Sequence, residues 1–305
     1  MTARATAPVP LRARMAGRAI GEAHRSASQL ELLFYLTFVI AIARITVELA
    51  HGIAGGHAVD SLVPFLQVFF AIWWAWMNFT WFASAFDNDD SVYRVLVMVQ
   101  MAGVLVLAAG VAPAFEHGDF RAITAGYALM RVGLIALWLR VAVECVAARA
   151  VALRYAGGLA ALQLAWVVRL FVAEHELWST RSLDVAFLLL AAGELSVPWW
   201  AERASDRHGS PWHPHHIAER YGLLTIILLG EGLVAASVGA RTAVEEGGAG
   251  ADLVAVASAG FVLTMALWWL YFLDRPGDGL VANRRSSYRW GYAHFPIFAS
   301  LAALG

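Results

Sequence analysis

Apolar residues in this chain gather into long runs separated by short polar joints. The runs fall at about residues 30–50, 61–83, 92–113, 122–143, 151–173, 182–201, 217–239 and 251–273, with a ninth opening at 288. A hydrocarbon layer roughly 30 Å thick takes about 20 residues of α-helix, so each run predicts one membrane crossing. Period-two alternation, which a membrane barrel strand would need, is missing throughout. The predicted class is all-α, a polytopic transmembrane helix bundle of about nine helices.

Sliding the chain against itself adds a second level of order. Glu31 with Leu36, Thr37 and Val39 matches Glu219 with Leu224, Thr225 and Ile227. Trp73-Trp74 matches Trp268-Trp269, and Tyr93-Arg94 matches Tyr288-Arg289. Runs one to three thus correspond to runs seven to nine. An even number of crossings separates the partners, which predicts parallel six-helix repeats. Three segments follow: a basic tail at 1–28, a first repeat with its following loop at 29–210, and the start of a second repeat at 211–305. The second copy stops inside its third helix, so the reading expects it to be truncated at Gly305.

Composition agrees with lipid as the solvent. Of 305 residues, 60% are hydrophobic and only 15% charged, with a mean hydropathy of +0.62. The net charge of -1 leaves no positive surplus for phosphates, which excludes an electrostatic nucleic-acid binder. A single cysteine, Cys145, excludes an intramolecular disulfide and any cysteine-based metal cluster. All 22 basic residues are arginine. With the amino terminus placed in the cytoplasm, fifteen of them fall on inner segments, three (Arg121, Arg181, Arg241) on outer loops, and four (Arg44, Arg131, Arg169, Arg220) within helices. That asymmetry predicts a cytoplasmic amino terminus. The five tail arginines, Arg4, Arg12, Arg14, Arg18 and Arg25, read as a flexible cytoplasmic segment rather than a packed domain.

Ionisable groups inside an apolar run carry the chemistry, because each costs roughly 2.5–3.5 kcal/mol at the bilayer centre. Arg131, Glu194 and Glu231 lie deepest, and Arg44 and Glu48 are one helical turn apart and expected to pair. These charges describe either a polar pathway or a set of mutually neutralised pairs that fix helix register. Pro198 cannot donate to the carbonyl of Glu194, so that position reads as a cation or proton site, or as a plain proline kink. Asn78 sits on one face with Trp74 and Trp81, a candidate bond across helices.

Polar motifs also mark the inner end. Asp87, Asp89 and Asp90 lack the spacing of a calcium loop and are expected to cap the third helix. His213, His215, His216, Glu219 and Arg220 crowd the loop before run seven. His215, His216 and Glu219 could hold a divalent metal or relay protons, against the plainer reading of an interfacial capping loop. Gly232, Ala236 and Ala240 form a small-residue stripe expected to admit close helix contact. No nucleotide-binding, esterase or haem-attachment signature occurs, so the chain reads as a non-enzyme with no implied cofactor.

Several strings occur together in order: Glu31-Leu32-Leu33-Phe34, Trp73-Trp74-Ala75-Trp76, Thr80-Trp81-Phe82-Ala83, Phe86 to Asp90, His213 to Gly222, Leu229-Gly230-Glu231 and Trp268 to Phe272. They resemble the bacterial low-temperature-requirement A family of multi-pass membrane proteins, over most of residues 30–305. The resemblance implies a membrane topology and a link to growth in the cold, and no reaction or substrate. The matching acids are Glu31, Asp87, Asp89, Asp90, Glu219 and Glu231. Tyr35 stands where such proteins usually carry an aspartate, and Arg44 where they carry a glutamine. The expected function is a cytoplasmic-membrane transporter or permease of a small solute or ion, with its site between the repeats. A non-catalytic lipid- or partner-binding protein and a membrane-embedded metalloenzyme are the alternatives. Expected partners are membrane lipids and an unidentified small solute or ion, without nucleic acid, in a chain compatible with a homo-oligomer.

Overall fold

The computed structural model describes residues 9–19, 22, 27–204, 210–245, 250–274 and 276–304. Arg4, Arg25, Arg207, Arg275 and the side chain of Arg285 lie outside the described residues. Eleven α-helices follow in order: α1 Gln29–Ala54, α2 Ala58–Phe86, α3 Ser91–Ala109, α4 Val111–His117, α5 Arg121–Glu144, α6 Arg149–Glu174, α7 Thr180–Glu202, α8 Pro214–Glu245, α9 Ala251–Tyr271, α10 Pro276–Ala282 and α11 Ser287–Leu304. No strand occurs among the described residues. Eight spans are long and apolar enough to cross a membrane, with α3 and α4 forming one and α9 running on through Ala282. The ninth run forms α11 but is not among the eight, because Arg289, His294 and Pro296 interrupt its apolar residues. The protein is a multi-pass membrane helix bundle.

Local chemistry sets the helix starts. Ser28 and Glu31 close a reciprocal capping box at α1, and Ser179 caps α7 through the backbone N–H of Ser182. Asp90 caps α3 by accepting from Tyr93 N at 2.8 Å, as expected of the acidic loop. The turn after α4 needs the left-handed backbone of Gly118, at φ 67°.

The bundle is built around α2. Its sequence is apolar on all sides, which suits a helix with no solvent face. From Phe65 to Phe86 nearly every side chain is buried, and it touches α1, α4, α5, α8 and α11. The outer helices turn Leu32, Leu36, Ile40, Leu188 and Leu189 outward, as expected where lipid replaces water.

Close helix contact comes from glycines on α3 and α5. A Cβ at Gly103 would lie 2.7 Å from Gly126 O, and one at Gly133 would lie 2.7 Å from Leu96 O. A Cβ at Gly126 would press on the backbone of Leu107 and Gly103. Gly126→Ala is therefore expected to destabilise the chain by about 1–3 kcal/mol through overpacking. Gly157→Ala, with open space around its Cβ, should be neutral or slightly stabilising. Denaturant titration in mixed micelles measures both. The stripe Gly232, Ala236 and Ala240 does not make such a contact. It lines a gap of about 1070 Å³ between α8 and α9, because no bulky side chain there fills the space.

The tail also departs from the sequence reading. Residues 9–19 lie against the end of the bundle formed by the α2–α3 loop and the close of α5 instead of hanging free. Arg18 N donates to Ala85 O at 2.9 Å, Ser91 N to Pro10 O at 3.1 Å, and Met15 is 1% exposed. Backbone donors and acceptors of an extended segment pair with helix ends that would otherwise be open.

Candidate functional site

The Glu194 carboxylate on α7 is fully enclosed, at 0% exposure. It accepts from four side chains on three other helices. Trp74 Nε1 on α2 donates at 2.9 Å, Tyr127 OH on α5 at 3.1 Å, Arg131 Nη2 on α5 at 3.2 Å and Trp166 Nε1 on α6 at 3.3 Å. Tyr127 and Arg131 are one turn apart and so share a face of α5. The guanidinium stands 4.5 Å from the Tyr127 ring centroid and donates to its hydroxyl. Complete coordination by donors, one of them cationic, leaves the carboxylate poorly suited to a metal cation. Arg131 Nε and Nη1, and both polar atoms of Gln163 on α6, have no hydrogen-bond partner among the described residues. Each is a place where a water or a solute group would bond.

This layer divides two cavities. One is walled by Trp74, Asn78, Trp138, Tyr155, Glu202 and Trp212, among others. Most of these residues come from the ends of α2, α5 and α7 and the start of α6, on the side of the tail. The other is walled by Gln67, Thr124, Tyr127, Trp166, Arg169 and Phe187, toward the opposite end. Trp74 faces the first cavity, while Tyr127 and Trp166 face the second; all three donate to Glu194.

Other candidate residues stand apart from this layer. Glu231 on α8 is half-buried and has no ion-pair or hydrogen-bond partner among the described residues. Arg44 and Glu48 do not pair. Arg44 projects from the exposed face of α1, and Glu48 turns to His51 at 3.8 Å, because the α1 face carrying Arg44 has no helix packed on it. Asn78 Nδ2 donates within its own helix to Trp74 O at 2.7 Å instead of bonding across helices. Trp74, Tyr127, Arg131, Trp166 and Glu194 all belong to the first six crossings.

At the tail end, Asp89 pairs with Arg94 at 2.7 Å, and Asp87 Oδ1 accepts from Asp89 N at 3.0 Å. Asp90 is fully buried; it holds Arg140 and accepts from Ala13 N at 2.6 Å. Burial alone would raise its pKa, but the bonds from Arg140, Ala13 and Tyr93 outweigh it and hold the carboxyl at about 2. Glu144 accepts from Met15 N at 2.6 Å and pairs with Arg12 at 2.5 Å. The three residues read as metal ligands diverge. His216 is buried 3.0 Å from Glu31, His215 turns outward to Asp278 at 3.9 Å, and Glu219 pairs with Arg220. Successive residues of α8 point in different directions, and no metal-holding group of three or more such side chains exists among the described residues.

Residues 26–305 match the model of the family described as bacterial low temperature requirement A protein, LtrA. The chain belongs to the LtrA family. A similar protein, an uncharacterized protein of Rhizobium meliloti (strain 1021), is 27% identical over 291 residues, covering 89% of this chain. This chain spans 66% of the length of that relative. No solved structure matches.

At position 35, where the resemblance implies an aspartate, this LtrA member carries a tyrosine. Tyr35 is buried, its OH is 3.2 Å from Thr80 Oγ1, and the Arg220 guanidinium lies 5.6 Å from its ring. A ring face meets the arginine where an aspartate would offer an ion pair. Sequence reasoning missed Tyr127, Trp166, Glu144 and Glu202. Tyr127 was accessible through its one-turn spacing from Arg131. The others needed knowledge of which helices are neighbours.

Proposed function

We propose that this LtrA-family chain is a permease of the cytoplasmic membrane, with a cytoplasmic amino terminus, that moves a small solute or ion. The observation carrying this reading is the pair of cavities on opposite sides of one buried polar layer, with side chains of that layer lining both. A carrier needs access from each face and a barrier between, with polar groups that a passing solute can engage. The arginine asymmetry supports the orientation and places the Glu202 cavity toward the cytoplasm. The lack of a recognisable catalytic motif favours transport over a membrane enzyme.

The pathway is tested by thiol accessibility. In a Cys145→Ser background, Asn78→Cys and Thr124→Cys place one thiol in each cavity, and Leu188→Cys, 67% exposed on the lipid side, serves as control. In oriented vesicles, a membrane-impermeant maleimide is expected to label Thr124→Cys from the outer face only and Asn78→Cys from the inner face only. The control should stay unlabelled. Labelling of both cavities from one face, or of neither, would overturn the proposal.

A second reading has its own support, since both oxygens of Glu194 are fully occupied. In it the layer only locks helix register, and the chain acts on lipid or a partner protein.

A further inference from the structure

The two cavities differ in charge. The outer one carries a guanidinium, Arg169, which lies over Trp166 at 5.9 Å and Phe187 at 5.6 Å. The inner one has a single ionisable acid among its walls, Glu202 at the end of α7, and no arginine or histidine. Glu202 is held in place by neutral donors. Tyr155 OH donates at 3.0 Å, and Ser210 donates through its backbone N and its Oγ, each at 2.6 Å. Arg284 acts on it only through space. That guanidinium lies 3.8 Å from the Trp212 ring centroid and donates to Trp212 O and Ser210 O, with no ion pair to Glu202 among the described residues. The carboxylate therefore borders the cavity with neutral donors as its direct hydrogen-bond partners.

Around it the walls are aromatic. Trp74, Trp81, Trp138, Trp212, Tyr155 and Tyr288 line the same space. Trp138 and Tyr155 are stacked 4.1 Å apart at an interplanar angle of 4°, and Trp81 meets Trp212 edge-on at 4.8 Å. These contacts hold the rings rigid. Ring faces with negative quadrupoles, together with one carboxylate in a site shielded from water, attract a cation that carries its own apolar surface. A bare metal ion would need several oxygen ligands, and the walls offer few. An anion would meet only the carboxylate and the ring faces.

We infer that the inner cavity binds a small organic ammonium ion, with Glu202 as its counter-charge and the tryptophan and tyrosine rings as its cage. This deepens the permease reading and rests on it, since it names the substrate class of the same pathway.

Choline is the probe, with 3,3-dimethylbutan-1-ol as a neutral molecule of the same shape. Binding to the full chain in nanodiscs is followed by tryptophan fluorescence and by calorimetry. Choline is expected to bind at least about tenfold more tightly than the alcohol, a difference that corresponds to one desolvated cation–π cage or more. Glu202→Gln keeps one oxygen to accept from Tyr155 OH and Ser210 Oγ, gives up the acceptor for Ser210 N, and should weaken choline by about tenfold without affecting the alcohol. Equal affinity for the two probes, or an unchanged affinity in Glu202→Gln, would overturn the inference. The comparison between probes uses the unaltered chain, so it stands even if the variant fails to fold. Labelling of Asn78→Cys in the same preparation separates the two ideas. A labelled cavity that ignores choline removes the ammonium assignment alone, whereas an unlabelled cavity removes the permease reading with it.

Discussion

Exchange of Glu194 for glutamine is expected to lower the unfolding free energy of the purified chain by about 3–5 kcal/mol, the cost of leaving a buried charge without its partner. Arg131 is 1% exposed and Glu194 is its only ion-pair partner among the described residues. Arg131→Met alone should cost a similar amount, because it strands the carboxylate among three neutral donors. The double variant Arg131→Met/Glu194→Leu removes both charges and should regain most of the loss, since well-packed apolar residues replace a buried ion pair at little cost. A permease needs more than a folded layer. The double variant is therefore expected to fold and insert yet fail to support growth in the cold in a strain that depends on the wild-type chain. Restored growth would instead identify the layer as a register lock and remove the permease reading.

The second large effect lies at the inner end. Asp90→Ala removes the cap of α3, one of the two counter-charges of Arg140 and the acceptor for Ala13 N together, leaving Glu144 at 3.3 Å from the guanidinium, and is expected to cost about 2–4 kcal/mol. Its pH dependence is a separate signature. The folded pKa of about 2 lies below the 3.8 of an ordinary aspartate, so the stabilisation is complete above pH 5 and fades as acid protonates the folded carboxyl. About 2 kcal/mol should disappear between pH 5 and pH 2. Asp90→Asn still caps α3 but cannot titrate, so its acid limb should be flatter by that amount. Equilibrium unfolding at stepped pH in a non-titrating detergent compares the two. Parallel curves would mean that Asp90 does not ionise with the bonds described.

Most of the fold could be read in the sequence because lipid imposes a strong one-dimensional rule. A backbone that cannot bond to water must bond within each helix, so length and hydropathy mark every span. Hence the nine runs coincide with helical spans to within a few residues. Pairing between helices follows no comparable rule. Glu194 and Arg131 were both visible as charges in apolar runs, but nothing local distinguished Glu231, which has no partner among the described residues, from Glu194, which has four. Arg44 and Glu48 had the spacing of a pair, yet spacing cannot tell which helix face another helix covers. Glu202 looked like an ordinary charge at a helix end, and its role emerged only when Ser210 and Tyr155 came beside it. The glycines of α3 and α5 were hidden for the same reason, since a glycine in an apolar run reads alike whether it meets lipid or a neighbouring backbone.

The docked tail fixes an order of events during synthesis. Residues 10–18 leave the ribosome before the helices, but their partners include Ala85, Asp90, Arg140 and Glu144. The last of these is made only when α5 is complete. The tail must stay undocked while four crossings are inserted, and can then close over the finished helix ends. A reporter fused ahead of residue 9 would thus register completion of the first half of the bundle, making a segment synthesised before α1 settle only after α5.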